Sequence, residues 1–306
     1  LWQLTAVYSR TKEKGLAFAA PYGVKTIFTD LEEMAATDKI DAVYIASPNK
    51  LHIEQARVFL EHGKHVICEK PLSAHAKDVA ELQALAKECG LIYLEAIMFM
   101  HLPQRKLLEE ALKKIGDISV AKIDFCQRSS KYDAYLAGSL PNIFNPALET
   151  GALMDLGVYC VYPALYLFGN PQNTLAVSHL LASGADGSDI VAMQYPDKLV
   201  NLVFSKVGQA GANTDFQGTN GTVSVESISK LANISIRYNN GTVEEVCGEE
   251  EKFKLMGYEA KDFYRYITEP EASRAEYERC SALAHDVSVY MEEIRKLANI
   301  RFPSDN

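Results

Sequence analysis

Short apolar runs alternate with longer amphipathic runs over the first 98 residues of the chain. The short runs are rich in β-branched residues, as strands are, and the longer ones carry apolar residues at helical spacing. Asp41 to Ala46 is nearly all apolar, which is typical of a strand covered on both faces. From the strand at Leu4 to Tyr8 to the strand at Leu91 to Ala96, the order is repeatedly strand, helix, strand. This order predicts a parallel sheet with helical crossovers.

A different pattern begins at residue 99. A predicted helix precedes the strand Ile118 to Cys126, a long loop and a helical stretch from Leu153 to Phe168 follow, and alternating runs extend from Leu175 to Val246. Turn signals separate these runs at Asp186-Gly187, Pro196-Asp197, Asn220-Gly221 and Asn239-Asn240-Gly241. The sequence therefore predicts an α/β fold in two domains. Residues 1–98 form a Rossmann-type dinucleotide-binding domain, and residues 99–306 form an α+β domain with an open, largely antiparallel sheet. The interface between such domains is the expected place for a site.

The front of the chain lacks a Gly-x-Gly-x-x-Gly segment, which in a dinucleotide-binding fold lies between the first strand and the first helix. The strand at Leu4 to Tyr8 fits the second strand of such a fold. We therefore expect a strand, a glycine-rich loop and a helix, roughly 20 to 30 residues, to precede Leu1 in the full protein. The alternative is a fold that has no such loop and begins with this strand at its edge.

Composition and charge exclude several classes of function. The 306 residues carry a net charge of -9 without a basic cluster, so we expect no nucleic-acid partner. No apolar run has the length of a membrane span. The six cysteines are widely spread and none has metal-ligand spacing to another cysteine or a histidine. These observations predict a cytoplasmic protein with free thiols and no metal site.

Ser9-Arg10-Thr11 directly follows the strand at Leu4 to Tyr8, which fits the second strand of a dinucleotide-binding fold, and the residue that recognises the ribose of the cofactor lies at the end of that strand. An NAD-preferring site usually holds Asp or Glu there, and this chain has neither. Hydroxyl groups and a guanidinium suit the 2′-phosphate of NADP, because Arg can hold a phosphate through two hydrogen bonds. The segment favours NADP as the cofactor, with NAD as the alternative.

Five motifs occur in an order and spacing that resemble the glucose–fructose oxidoreductase/inositol dehydrogenase/MocA (Gfo/Idh/MocA) family. They are Ser47-Pro48-Asn49 with His52, Glu69-Lys70-Pro71, Gly151-Ala152-Leu153-Met154-Asp155-Leu156-Gly157-Val158-Tyr159, Gly218-Thr219-Asn220-Gly221-Thr222, and Met291-Glu292-Glu293-Ile294-Arg295 with Pro303. The resemblance covers essentially the whole chain. Many members have His at the position of Tyr159. With Tyr there, the chain most resembles the branch that contains dimeric dihydrodiol dehydrogenase and NADP-dependent D-xylose dehydrogenase.

The resemblance implies a nicotinamide cofactor lying across the carboxyl ends of the parallel strands. Ser47, Pro48, Asn49 and His52 would line its ribose side, and Glu69, Lys70 and Pro71 its nicotinamide side. The bond before Pro71 would be cis. The C-terminal sheet would form the interface of a homodimer or of a dimer-based tetramer.

The residues themselves agree with a catalytic role for Lys70, Asp155 and Tyr159. Lys70 ends an apolar strand, so its ammonium would project into the cleft between the domains. Asp155 and Tyr159 are four residues apart in a helical stretch and should share one face. In the oxidative direction Tyr159 would remove the hydroxyl proton while Lys70 stabilises the oxyanion and lowers the pKa of the phenol. Asp155 would orient the substrate or Lys70. The alternatives are a surface lysine and a packing tyrosine.

Two departures from relatives bear on the substrate. Glu149 and Thr150 precede Gly151 where many relatives carry glycines, and Met100 stands where relatives often have Arg. The loss of that arginine favours a neutral sugar, cyclic polyol or diol as the substrate. The sequence thus predicts a hydride-transferring NAD(P)-dependent oxidoreductase. The rival interpretations are a catalytically silent dinucleotide-binding regulatory protein of the same fold and a different NADP enzyme, such as an imine reductase.

Overall fold

The computed structural model describes residues 1–305. In its N-terminal part every strand pairing is parallel, as predicted, with β1 paired to β2 and with β3, β4 and β5 in a second sheet. The strands are β1 (Ala6–Tyr8), β2 (Thr26–Phe28), β3 (Ala42–Ile45), β4 (His65–Glu69) and β5 (Tyr93–Ala96).

Four helices alternate with these strands, namely α1 (Lys12–Ala19), α2 (Leu31–Ala36), α3 (His52–Glu61) and α4 (Ala76–Glu88). Short 3-10 turns lie at Ala20–Tyr22 and Asn49–Leu51. Asp30 caps α2 by accepting a hydrogen bond from the Glu33 N–H at 3.0 Å, as its position before the helix predicts. Because the strands are parallel and the helices cross over between them, the loops after β1, β3 and β4 all leave carboxyl ends of strands.

The C-terminal part is built on an eight-stranded sheet with the order β13-β12-β11-β10-β6-β9-β8-β7. Its pairings are antiparallel except for the parallel pair β6–β9. The strands are β6 (Ile118–Cys126), β7 (Asn173–Leu180), β8 (Asp186–Gln194), β9 (Leu199–Ser205), β10 (Thr214–Gly218), β11 (Gly221–Ser227), β12 (Ala232–Tyr238) and β13 (Val243–Cys247).

Three of the four predicted turns of this sheet are confirmed, and one is wrong. Asp186-Gly187 is the start of β8, and the chain instead turns between Leu181 and Ala185. The Asp-Gly pair has the composition of a turn, but the Gly187 carbonyl accepts a hydrogen bond from the Lys206 N–H. Tertiary pairing with the end of β9 therefore overrides the local turn signal.

Helices accompany this sheet, and some of them cover one of its faces. They are α5 (Gln104–Lys114), α6 (Tyr132–Leu136), α7 (Val158–Phe168), α8 (Lys252–Thr268) and α9 (Pro270–Leu297), with 3-10 turns at Met98–Met100, Asn142–Phe144, Pro146–Leu148 and Pro303–Asp305 and a π-helical turn at Leu153–Gly157. The sheet residues that face α5 and α7, such as Ile123, Leu202 and Phe204, are fully buried. The long helix α9 packs on α4, β5, α7 and β7 and so joins the two parts of the chain.

The opposite face of the sheet is open, and its β7–β8–β9 end is apolar. Leu175, Val177, Ile190 and Leu199 are 65%, 64%, 50% and 57% exposed, and the strand register places them on one side. No helix in residues 1–305 has the length and apolar character needed to cross a membrane. The predicted domain division between residues 98 and 99 falls within the Met98–Met100 turn and stays a prediction.

Candidate active site

Lys70 follows the buried strand β4 directly and points out of its carboxyl end. Val66, Ile67 and Cys68 of that strand are buried, so the backbone that carries Lys70 is held by the core. The Lys70–Pro71 bond is cis, as the family resemblance implied. The Lys70 side chain is only 11% exposed. Its Nζ donates hydrogen bonds to the Asp155 carbonyl oxygen at 2.8 Å and to Asp155 Oδ1 at 2.9 Å.

Asp155 and Tyr159 both face Lys70, although the helix between them is not regular. Asp155 lies in the π-helical turn Leu153–Gly157, where the helix is wider than an α-helix, and Tyr159 lies in the first turn of α7. Lys70 Nζ is 4.9 Å from the centroid of the Tyr159 ring. Such widened turns are frequent at functional sites. The structure thus brings together the three residues that the sequence proposed as catalytic.

A buried carboxyl group from the sheet holds this turn in place. Asp186, in β8, accepts a hydrogen bond from the Leu153 N–H at 2.6 Å. A side chain at Gly151 would collide with the Asp186 carboxylate, which explains the glycine at that position. Burial raises the pKa of Asp186 and that of its buried neighbour Asp189. The negative charge of Asp186 adds to the shift at Asp189.

Lys206 is a second cation at Asp155 that sequence reasoning missed. It directly follows β9, its side chain is 5% exposed, and its Nζ forms an ion pair with Asp155 Oδ2. Burial, reinforced by the nearby charge of Lys70, lowers the pKa of Lys206 to about 8. The signal that identified Lys70, a lysine at the end of an apolar strand, is also present at Lys206. Lys206 was nevertheless missed, because β9 lies between a parallel and an antiparallel neighbour and the sequence alone does not show which end of β9 meets the cleft.

Tyr159 sits in a largely buried, partly acidic environment. Its ring packs edge-on against Phe125 with centroids 5.5 Å apart. Burial raises the pKa of Tyr159. Lys70 opposes this shift, and Glu69, Glu259 and Glu95 add to it. The predicted effect of Lys70 on the phenol therefore has the expected sign, but it is smaller than the effect of burial.

Three carboxyl groups border the Lys70 segment. Glu69 Oε1 accepts a hydrogen bond from the Tyr44 hydroxyl at 2.6 Å. Glu95 accepts from the Leu72 N–H at 3.1 Å and from the Tyr162 hydroxyl, and burial raises the pKa of Glu95 to about 7. Burial also raises the pKa of Glu259, in α8, to about 8. With these raised pKa values, Glu95 and Glu259 each carry less than a full negative charge at neutral pH.

Ser9, Arg10 and Thr11 lie together at the carboxyl end of β1. The Ser9 N–H continues the pairing of β1 with β2 by donating to the Phe28 carbonyl at 3.0 Å. Arg10 and Thr11 are exposed, and within residues 1–305 the Arg10 guanidinium has no ion-pair partner. Their predicted contact with the cofactor stays a prediction. The position and the uncommitted guanidinium fit a phosphate on the ribose.

Ser47, Pro48, Asn49 and His52 follow β3, where they connect several segments. The Ser47 hydroxyl is buried and has no hydrogen-bond partner within the described residues. Such an orphaned hydroxyl fits a ligand oxygen, since buried polar groups are normally satisfied. Pro48 precedes the Asn49–Leu51 turn. Asn49 Nδ2 donates to the Glu149 carbonyl at 2.8 Å and so connects the N-terminal part to the loop before the π-helical turn that carries Asp155.

The His52 ring is fully buried and lies between two backbone carbonyls. Nδ1 is 2.9 Å from the Pro71 oxygen and Nε2 is 2.9 Å from the Ser47 oxygen. Burial lowers the pKa of His52, although both carbonyls oppose this shift. In this structure His52 aligns the two loops that were predicted to hold the cofactor. Its direct contact with the ribose, like the other cofactor-binding roles, stays a prediction.

A surface cavity of about 820 Å³ lies beside α3 and α4. It shares Asn49 and Glu149 with the rim of the site, but Lys70, Asp155 and Tyr159 do not line it. Its lining carries charges of both signs, such as Arg57 and Glu292. The three residues predicted as catalytic therefore lie outside this cavity.

Comparison with known proteins agrees with this geometry. Residues 1–96 match the model described as "Oxidoreductase family, NAD-binding Rossmann fold", and residues 105–224 match the "GFO/IDH/MocA C-terminal domain". The chain belongs to the Gfo/Idh/MocA family. As a member it is an oxidoreductase with a Rossmann-type cofactor domain, and the resemblance stated from the five motifs is confirmed.

Two curated relatives and one solved structure illustrate the membership. Scyllo-inositol 2-dehydrogenase (NADP(+)) IolU of Bacillus subtilis is 42% identical, over 99% of this chain and 92% of the relative. The mouse trans-1,2-dihydrobenzene-1,2-diol dehydrogenase is 28% identical, over 99% and 91%. The crystal structure of KijD10, a 3-ketoreductase from Actinomadura kijaniata in complex with NADP and TDP-benzene, superposes with a TM-score of 0.81 at 23% identity, over 94% of this chain and 88% of that one. This last likeness supports the fold.

Proposed function

We propose that the chain is an NADP-preferring dehydrogenase or reductase that acts on a secondary hydroxyl or ketone of a cyclic polyol, sugar or diol. The observation that carries the proposal is the cluster in which Lys70 contacts both the Asp155 carboxylate and the ring of Tyr159. An ammonium and a phenol on one side of a cleft provide the two functions that alcohol oxidation needs, oxyanion stabilisation and proton transfer.

Each of the three residues has a distinct part in the proposed reaction. When bound, NADP accepts a hydride from the carbinol carbon or returns it to the ketone carbon. Tyr159 takes the hydroxyl proton in oxidation and gives it back in reduction. Lys70 stabilises negative charge on the substrate oxygen and on the Tyr159 oxygen. Asp155 fixes the direction of the Lys70 ammonium through the carboxylate and carbonyl contacts.

The preference for NADP is supported by the residues at the end of β1. The exposed Arg10 guanidinium, with a hydroxyl on either side in Ser9 and Thr11, fits a dianionic 2′-phosphate better than a free ribose hydroxyl. The name of the 42% identical relative also specifies NADP(+). NAD remains the alternative that the binding experiment below distinguishes.

A cyclic polyol is the favoured substrate class. The name of the 42% identical relative specifies scyllo-inositol, and the dihydrodiol dehydrogenases have diols in theirs. Tyr159 and the carboxyl group of Glu69, the residue before Lys70, suit a substrate whose hydroxyl groups donate hydrogen bonds. The test is a screen of the full-length protein against inositols, aldoses, linear polyols and diols, with NADP and with NAD, following the absorbance of the reduced nicotinamide. Turnover confined to anionic substrates, or none with any member of the panel, would contradict the proposal.

We also propose a homodimer, or a dimer-based tetramer, formed through the open face of the C-terminal sheet. The apolar end of this face, with Leu175, Val177, Ile190 and Leu199, is larger than isolated surface residues would explain. Ile190→Lys should convert the assembly to monomers in light scattering, whereas a monomeric parent protein would refute the proposal. A cytoplasmic location is supported by six cysteines that are all free.

The silent regulatory alternative has no observation in its favour. A protein that only bound the dinucleotide would have no use for buried Lys70 in contact with Asp155 and Tyr159. The same cluster also argues against an imine reductase, which needs a different set of acid and base groups. The screen above tests both, because a silent protein would bind NADP and turn over nothing.

A further inference from the structure

Asp155 is held by two lysines that come from different parts of the chain. Lys70 follows β4 and contacts Asp155 Oδ1 and the Asp155 carbonyl, whereas Lys206 follows β9 and pairs with Oδ2. Both lysine side chains are largely buried, at 11% and 5% exposure, while that of Asp155 is 37% exposed. We call Lys70, Asp155 and Lys206 the ion triad.

The second lysine is not needed to neutralise Asp155. One ammonium already balances the carboxylate, and Lys70 supplies it with two hydrogen bonds. A buried lysine also costs desolvation free energy, so an apolar residue of similar size would serve the fold at least as well. A costly charge that repeats an existing pairing, next to a reacting group, indicates a role in the reaction.

We propose that Lys206 is a positioning residue that fixes the Asp155 carboxylate and thereby aims the Lys70 ammonium at Tyr159 and the substrate oxygen. The proposal rests on the proposed function and extends it to a residue outside the three predicted from sequence. Without Lys206, Oδ2 would face the cleft unpaired, and the carboxylate could rotate away from Lys70. Lys206 itself is anchored by its backbone, since its N–H donates to Gly187 and its carbonyl accepts from Ser129.

The charge of the ion triad depends on pH through Lys206. The charged groups that face it are Asp155 and Lys70. On β8 Asp186 is engaged with the Leu153 N–H, and on the loop after β6 Arg128 is exposed and paired with Asp133. Below pH about 8, where the buried Lys206 is protonated, the triad carries one net positive charge. As the pH rises through about 8, Lys206 loses its proton and the net positive charge of the triad is lost. The neutral amine then no longer attracts Asp155 Oδ2 by charge.

The test compares Lys206→Met and Lys206→Arg with the parent protein in the reductive direction, where Tyr159 is needed as the protonated phenol. For the parent we expect kcat to fall as the pH rises above about 8. Lys206→Met should lower kcat roughly 10- to 100-fold at neutral pH, leave the KM for NADPH within about twofold, and abolish the decline above pH 8. Lys206→Arg should recover much of kcat and move the decline to higher pH, since guanidinium stays charged.

A matched control lies at the other end of the same strand. Lys198 precedes β9 and pairs with Asp197 away from the site, so Lys198→Met should keep the parent kcat and pH profile. Thermal unfolding separates positioning from folding. The Tm of Lys206→Met should be equal to or above that of the parent, because a desolvated charge is removed while Lys70 still balances Asp155. A lowered Tm with a kcat loss that Lys206→Arg does not recover would overturn the proposal.

A spectroscopic measurement decides the matter independently of turnover. NMR of protein labelled at the lysine side-chain nitrogens, assigned with Lys206→Met and Lys70→Met, reports the coupling through Asp155 directly. The Lys70 signal should shift in Lys206→Met and remain unchanged in Lys198→Met. An unchanged Lys70 signal in Lys206→Met would overturn the positioning role. If no substrate of the panel were turned over, the proposed function would fail, and this measurement would still decide whether Lys206 positions Lys70.

Discussion

The two halves of the candidate site are built in opposite ways. At the end of β1, Arg10 and Thr11 are exposed and make no side-chain ion pair within residues 1–305. Around Asp155, by contrast, Lys70 and Lys206 are buried and connected to each other through one carboxylate. The side chains of the first region are therefore largely unengaged, whereas those of the second form a connected cluster.

This difference determines how each region should respond to mutation. An exposed residue without contacts inside the protein should contribute to the binding of a ligand and little to stability or turnover. A residue in a connected cluster contributes to the orientation of reacting groups, so its loss should lower turnover while cofactor affinity survives. The following mutations test whether the two regions separate in this manner.

Tyr159→Phe should have the largest effect. Loss of the acid/base group should lower kcat by about 10²- to 10⁴-fold. In the oxidative direction the parent rate should rise with pH up to about 8, where Lys206 begins to lose its charge, because the phenolate fraction of Tyr159, whose pKa is raised by burial, grows over this range. The variant should lose this rise. A pH–rate profile that is the same for both proteins would show that another group moves the proton.

Lys70→Met should lower kcat by at least ~100-fold, as expected for the loss of one electrostatic catalyst. Cofactor affinity, measured by quenching of the single tryptophan or by calorimetry, should change little. The control is Lys198→Met, which removes an equal charge outside the cluster. Near-normal turnover would show that Lys70 takes no part in the mechanism. An equal loss of NADP affinity would contradict the view that this cluster acts on turnover and the end of β1 on cofactor binding.

Arg10→Ala should act on binding alone. We expect the Kd for NADP to rise roughly 10-fold or more with that for NAD nearly unchanged, because a charge-assisted contact to the 2′-phosphate is lost. The kcat at saturating cofactor should remain within about twofold. Equal weakening of both cofactors would identify Arg10 as a structural residue and leave NAD as the preferred alternative.

Asn49→Ala should have the smallest effect, because Asn49 lies outside both regions and connects the segment after β3 with the loop before Gly151. The Asn49 amide donates to the Glu149 carbonyl, so its loss should reduce the free energy of unfolding by about 1 kcal/mol. Chemical denaturation measures this change. If Asn49→Ala instead weakened NADP tenfold without loss of stability, its predicted role as a direct cofactor ligand would outweigh the observed contact.

Periodicity predicted many of the strands because the burial of side chains follows the period of the element. β6, for example, was predicted with its observed bounds. The turn at Asp186-Gly187 failed for the opposite reason. Its residues prefer a turn locally, but the carboxylate of Asp186 is required beneath Leu153, and a contact between distant residues outweighed the local preference.

The candidate site divides along the same line. The order of strands and helices, the family and the grouping of Lys70, Asp155 and Tyr159 could be predicted from residue types, strand ends and the order of the motifs. The catalytic roles of these three residues stay predictions. Lys206 was missed, because it lies in none of the five motifs and its contact with Asp155 is made by tertiary folding. Its role depends on β9 pairing with β6 in parallel and β8 in antiparallel orientation. That pairing brings the end of β9 to the π-helical turn that carries Asp155. The pairing itself results from packing of the whole sheet rather than from any local pattern.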